Sequence, residues 1–163
     1  MRVRVVGQST KNIDNEDLKQ AAIFYLKELI KDIDVLKELY VTIKFEPDLN
    51  VMGYCEWTDT PIWPRNFTIS MNVNFGKRII FKSLAHECVH IKQQSQNELT
   101  QNFAKFKMMK WHGKNHRFID DYSKSYYYQP WEIEANGLME FLYNEYMACK
   151  DLKRRGLVYN PDI

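Results

Sequence analysis

The chain has 163 residues, enough for one compact domain that buries about 70% of its unfolded surface and needs no metal merely to fold. Hydrophobic residues at 45% and charged residues at 27% are ordinary for a soluble globular protein, and the 14% aromatic share points to a core or cleft lined with rings. A formal net charge of +2 is too small to argue for nucleic acid by itself, and the three scattered cysteines, Cys55, Cys88 and Cys149, indicate neither a disulfide framework nor a CxxC metal site.

Arg2–Val6 alternates charged and β-branched residues and reads as a short strand. The opening MRVRVVGQST lacks the apolar run of a signal peptide, and no segment approaches the length of a membrane span. With thiols expected to be reduced, a cytoplasmic location without a membrane partner follows as the expectation. Asp14 is placed as an N-cap, with Glu16 and Asp17 favouring the helix dipole. The helix carries Leu18, Ala21, Ala22, Tyr25, Leu26 and Leu29 on one face, and a new pattern restarts out of phase over 35–40. Tyr40–Glu46 is a strand by β-branched content, closed by Pro47. Residues 49–57 hold an edge or hairpin strand, 58–66 form a loop with two prolines, and 67–73 alternate as a half-buried strand.

The stretch 82–94, KSLAHECVHIKQQ, contains an H-E-x-x-H pattern at His86, Glu87 and His90. In a helix, histidines four apart stand one turn above each other, so both imidazoles reach one zinc ion, with the glutamate beside them as proton acceptor. At 100° per residue Phe81, Leu84, Cys88 and Ile91 form one stripe, with His86, His90 and Gln93 opposite and Glu87 at the edge. Two surface histidines on an ordinary amphipathic helix are the competing reading. The register and a third ligand downstream favour the metal site.

Residues 104–111 are compatible with a helix, and Gly113 with a loop after it. Between residues 101 and 118 there are five basic residues, Lys105, Lys107, Lys110, Lys114 and Arg117, and no acidic ones. Aromatic residues interleave with them. Such a stretch suits a nucleic-acid surface and equally a solvated face whose lysine stems cover aromatic packing. A last helix starts at Pro130 and carries Trp131, Ala135, Leu138, Leu142 and Tyr146 on one face through about 150, followed by a tail from about 151. No repeats or long linkers divide the chain, so 1–163 reads as one domain.

Catalytic zinc takes three protein ligands and keeps a position open. Glu132 and Glu134, in PWEIEAN, flank the apolar face of the last helix at similar angles, so periodicity does not choose between them. His112 and His116, in WHGKNH, are loop alternatives, and with Tyr126 to Tyr128 they are candidates for stabilising an oxyanion.

The pairing of LAHECVHIKQ with PWEIEAN, with weaker support from GYCEW and PRNFTI, resembles the small gluzincin-like metallopeptidases of bacteriophage genomes. More distantly it is similar to ImmA/IrrE-type proteases. The resemblance covers roughly residues 53 to 146. It implies an α+β, zincin-like fold with a small, mostly antiparallel sheet. The long N-terminal helix and the H-E-x-x-H helix pack on one side of that sheet, and a C-terminal helix carries the third ligand. It implies Zn2+ held by His86, His90 and Glu132, with Asn136 orienting a zinc-binding histidine and Glu87 as general base. The substrate would be a protein or peptide, held along an edge strand over 67–73, and the setting the host cytoplasm if phage-encoded. WHGKNHRF also looks somewhat like the H-G-x-x-F element of SprT/Spartan-like, DNA-associated proteases, although its aromatic residue is not at the matching distance. A non-catalytic zincin-fold module that binds DNA or a protein partner is the alternative from another class.

Overall fold

A computed structural model describes residues 1–7, 13–101, 107–119 and 124–156. Lys105, the residues around it and the end of the tail lie outside them. The first strand, β1 (Arg2–Val6), leads to helix α1 (Asn15–Leu29), whose N-cap Asp14 accepts a hydrogen bond from the Glu16 amide at 3.0 Å. Leu18, Ala21, Ala22, Tyr25 and Leu26 are buried along one side of α1, as their spacing requires. Asp32 caps the short α2 (Ile33–Glu38) in the same way, accepting from the Asp34 and Val35 amides. The chain then enters β2 (Tyr40–Glu46), β3 (Gly53–Trp57) and β4 (Asn66–Asn72).

These strands form one sheet in the order β1-β2-β4-β3. β1 pairs with β2 and β2 with β4 in parallel, and only β3 runs antiparallel, against β4. The expectation of a mostly antiparallel sheet is therefore corrected for this sheet. The helical crossover through α1 and α2 returns the chain to the starting end of β1, which makes β2 its parallel neighbour. The candidate edge strand changes too. β4 lies inside the sheet between β2 and β3, and β3 is the edge on that side, with β1 the other edge. The polar side chains Ser70 and Asn72 of β4 do not face water: Ser70 donates to Glu46 at 3.1 Å, and Asn72 donates to the Leu49 carbonyl at 2.7 Å.

After β4 the chain turns into α3 (Lys77–Ser95), which packs along β3 and β4 while α1 packs on β1 and against α3. Phe81, Leu84, Cys88 and Ile91 are buried there, as read from the wheel, with Ile80 and Ala85 beside them. Burying a side chain such as Phe81 or Leu84 contributes about 1.5–3 kcal/mol, so this stripe holds α3 firmly to the sheet. The opposite face of the sheet keeps polar groups such as Arg4, Thr42 and Lys44.

Three short strands follow α3: β5 (Leu99–Gln101), β6 (Met108–Trp111) and β7 (Lys114–Arg117), in an antiparallel sheet of that order. The helix expected over 104–111 is corrected over 108–111, which are strand. His112 and Gly113, both with positive φ (45° and 78°), make a two-residue reversal from β6 into β7, the geometry favoured in tight hairpins. A short α4 (Lys124–Tyr127) precedes α5 (Pro130–Arg154), which begins with its proline in the first turn and packs against α3. α5 runs to Arg154, a few residues beyond the expected end near 150. The whole is an α+β domain in which the interface of α3 with α5 carries the polar cluster.

Candidate metal centre

His86 and His90 stand one turn apart on α3 with their Nε2 atoms 3.1 Å from each other and their rings nearly perpendicular. Glu132 reaches them from the first turn of α5. Its Oε2 is 3.3 Å from His86 Nε2 and its Oε1 is 3.4 Å from His90 Nε2. The glutamate is only 2% exposed. Two nitrogens and a carboxylate from two helices thus converge at one point, and together they can hold a metal ion.

The start of α5 is fixed in rotation by its neighbours. The Gln129 side chain accepts from the Ile119 amide at 2.8 Å and donates to the Ile119 carbonyl at 3.2 Å, clamping the helix to the chain leaving β7. Buried Trp131 packs against Trp111 of β6 and meets His116 of β7 edge-on, with ring centres 6.4 and 6.2 Å away. With Trp131 seated on the hairpin, the next residue faces α3. The Tyr126 hydroxyl donates to Glu132 Oε1 at 2.9 Å, adding a second constraint on the carboxylate. Burial works to raise the pKa of Glu132, but the imidazoles of His86 and His90 and the Tyr126 hydroxyl hold it below the ordinary carboxylate value.

Gln93, buried one turn beyond His90, sets the state of that imidazole. Its Nε2 donates to the Trp131 carbonyl at 2.9 Å and to Glu134 Oε2 at 2.8 Å. Both amide hydrogens are used, so Oε1, 2.8 Å from His90 Nδ1, is the acceptor. The proton then sits on Nδ1, and the Nε2 lone pair points at His86 and Glu132. This is the arrangement that prepares a histidine to bind a metal.

Glu87 follows His86 and is 4% exposed. Burial pushes its carboxyl up to about 7, with His90 pulling it down and Glu132 adding to the rise. Beside it runs the edge strand. The Cys55 thiol of β3 is raised well above its usual range by burial and by the Glu87 carboxylate and Cys88. Gly53 lets β3 approach α3 this closely, because a Cβ there would lie 2.9 Å from Ser83 Oγ and 3.1 Å from the Ser70 carbonyl.

The other candidates fall elsewhere. Glu134 is occupied with Lys92 at 2.9 Å and with Gln93, so it braces the orienting amide and is not one of the three converging donors. His112 is exposed at the hairpin reversal against Trp111, and His116 is half-buried against Trp131. Neither belongs to the donor group. Asn136 lies exposed on α5, and the orienting place expected for it is filled at His90 by Gln93. Tyr126 is engaged with Glu132, while Tyr127 and Tyr128 are exposed. The residues that sequence reasoning passed over, Gln93 as orienter and Gly53 as close-packing point, each had a faint signal: a glutamine on the histidine face, and a glycine inside a strand pattern.

Fold and site together define an α+β domain with a His-His-Glu group between two helices that could hold a metal ion. Comparison with protein-family models, with curated proteins and with solved structures finds no match to this chain. Among the described residues no helix is long and apolar enough to cross a membrane.

Proposed function

We propose that this domain is a zincin-like, zinc-dependent peptidase. The observation that carries the reading is the convergence of three donor side chains. The two imidazole Nε2 atoms lie 3.1 Å apart, and one Glu132 oxygen lies 3.3 Å from His86 and the other 3.4 Å from His90, close enough for one nitrogen from each histidine and one carboxylate oxygen to share an ion at zinc-ligand distances of about 2.0–2.2 Å. Two histidines and a glutamate are also a ligand set found in catalytic zinc sites, which leave the fourth position open. When bound, zinc supplies Lewis-acid polarisation of a carbonyl oxygen and lowers the pKa of a water from 15.7 toward about 7.

The chain's own residues do the rest. Glu87 takes the proton from the attacking water and passes it to the leaving amine. Gln93 keeps His90 in the tautomer with Nε2 free, and Tyr126 holds the Glu132 carboxylate in place. The free edge of β3 offers main-chain groups to an extended protein or peptide substrate alongside Glu87.

A second reading, a non-catalytic module that keeps the metal centre, is favoured by the burial of Glu87. Metal analysis and peptide cleavage separate the two. Stoichiometric zinc retained in Glu87→Gln but lost in His86→Ala, with cleavage of a peptide library abolished in both, supports the peptidase. Stoichiometric zinc without turnover of any library member supports the module, and wild-type protein that binds no zinc removes both.

A further inference from the structure

The hairpin formed by β6 and β7 carries a concentration of charge that the metal centre does not use. From Leu99 to Ile119 the sequence contains Lys105, Lys107, Lys110, Lys114 and Arg117 and no aspartate or glutamate. Since the whole chain is +2, five positive charges in this stretch leave −3 for everything else. The charge is therefore sorted and not spread.

Its local setting differs from that of several cations on the helices, which sit beside acids: Lys19 with Glu16, Lys31 with Glu28, Lys37 with Asp34 and Lys77 with Asp17, all within 3.6 Å. Lys110, Lys114 and Arg117 are exposed, and among the described residues none has an acidic partner within ion-pair distance. Pairing register explains where they point. Lys110 lies opposite Asn115 and Met108 opposite Arg117, so Lys110 and Arg117 are diagonal neighbours about 7–8 Å apart on one face of the ribbon. The other face carries Leu99, Met109, Trp111 and His116, and through Trp111 and His116 it meets Trp131. Packing therefore turns the face of Lys110 and Arg117 outward, while Lys114, opposite Trp111 on the other face, is exposed at the tip beside the His112–Gly113 reversal.

Exposed rings stand nearby. Gln129 ties its own side chain to the main chain of Ile119, two residues after β7. Tyr128, immediately before it, is 74% exposed, and Tyr127 is 54% exposed. Exposed cations on a narrow ribbon, with exposed aromatic rings on the segment that Gln129 ties to the chain leaving β7, match what a nucleic acid requires: charges for its phosphates and flat faces for unstacked bases. An acidic protein segment would be served by the cations alone and leaves the rings without a role.

We propose that Lys110 and Arg117 on the outer face of the β6–β7 hairpin, together with exposed Lys114 at its tip, bind the phosphodiester backbone of nucleic acid, and that Tyr128 stacks on bases of a single strand. This surface is separate from the metal donors, so its test depends on neither zinc nor hydrolysis.

The test is fluorescence anisotropy of the full chain with a labelled 20-nucleotide single strand and the corresponding duplex, at several salt concentrations. Three phosphate contacts give a slope of log K against log salt of about −2 for the single strand. Affinity then falls roughly 20-fold between 50 and 200 mM salt. The triple variant Lys110→Gln, Lys114→Gln, Arg117→Gln should abolish most of this slope. A control of equal charge change on the helices, Lys19→Gln, Lys31→Gln, Lys37→Gln, should leave it intact. Tyr128→Ala should weaken the single strand roughly tenfold and leave the duplex unchanged. Equal losses in hairpin and helix variants would show non-specific attraction and overturn the proposal. So would absence of salt-dependent binding to both nucleic acids, or a polyglutamate peptide that binds as tightly as the single strand at equal charge. Duplex binding that depends on the hairpin, with no effect of Tyr128→Ala, supports the phosphate contact and refutes the stacking role.

Discussion

Replacing Gln93 by leucine tests whether the metal centre is organised from behind. The side chain is fully buried and makes three hydrogen bonds, to His90 Nδ1, to the Trp131 carbonyl and to Glu134. Leucine fills a similar volume but serves none of them. Glu134 keeps Lys92, and the Trp131 carbonyl, in the first turn of α5, keeps its intrahelical partner, so the His90 N–H is the group stranded. At about 1–3 kcal/mol for a buried group left unsatisfied, the metal-free variant should lose roughly that much stability, read from urea unfolding. Its second effect is on the metal. Without the acceptor at Nδ1, the His90 proton is no longer held on that nitrogen and the ring is no longer held in place. Loss of such an outer partner typically lowers metal affinity about 10–100-fold. Competition against a chromophoric chelator measures this at a temperature where the variant remains folded. Gln93→Glu separates the two effects, because it keeps the acceptor for His90 while losing the donors to Trp131 and Glu134. It should be destabilised, yet should bind zinc more tightly than Gln93→Leu. Equal zinc affinity in wild type and Gln93→Leu would refute the orienting role and leave Gln93 as a tie between α3 and α5.

Three further outcomes follow from the same geometry. Glu132→Ala should abolish stoichiometric zinc binding while Glu134→Ala retains it, as metal analysis of the two purified variants will show. Gly53→Ala should cost about 1–3 kcal/mol, since the added methyl meets Ser83 Oγ and the Ser70 carbonyl and forces β3 away from α3; a lower urea midpoint checks this, and an unchanged one means that the strand moves freely. Burial works to raise the pKa of Asp17, but Lys150, the Tyr146 hydroxyl and Lys77 hold it below its ordinary value. A group depressed in this way contributes stability above its unfolded pKa, about 3.9, and that contribution is lost as pH falls through the lower folded value. Asp17→Asn should therefore flatten the acid limb of stability against pH below about 4, measured by thermal unfolding.

The parts of this molecule that could be read from its residues are those encoded locally. The cap Asp14, the buried stripe of α3 and the proline that opens α5 each depend on neighbours within a turn or two, and each appears where its pattern puts it. The pair His86 and His90 is of the same kind, because four residues on one helix determine their juxtaposition. Glu132 and Glu134 are different. Both flank the apolar side of α5, and which one turns toward the histidines depends on Trp131 seating against a hairpin formed by residues 108 to 117. No periodicity within α5 contains that information. The sheet shows the same division: each strand is legible, but the parallel pairing of β2 with both β1 and β4 is set by crossovers that strand composition does not encode. Ser70 and Asn72 look like a solvent face because alternation reports polarity and not accessibility, and their partners come from β2 and from residues 49 to 51. The metal centre therefore combines the two kinds of order. One helix supplies a rigid pair of donors by its own repeat, and the third donor arrives only if hairpin, aromatic packing and the Gln93 network close together. Metal binding should accordingly be lost on disrupting that closure before α3 itself unfolds, which makes the seat of Trp131 as consequential for the centre as a ligand.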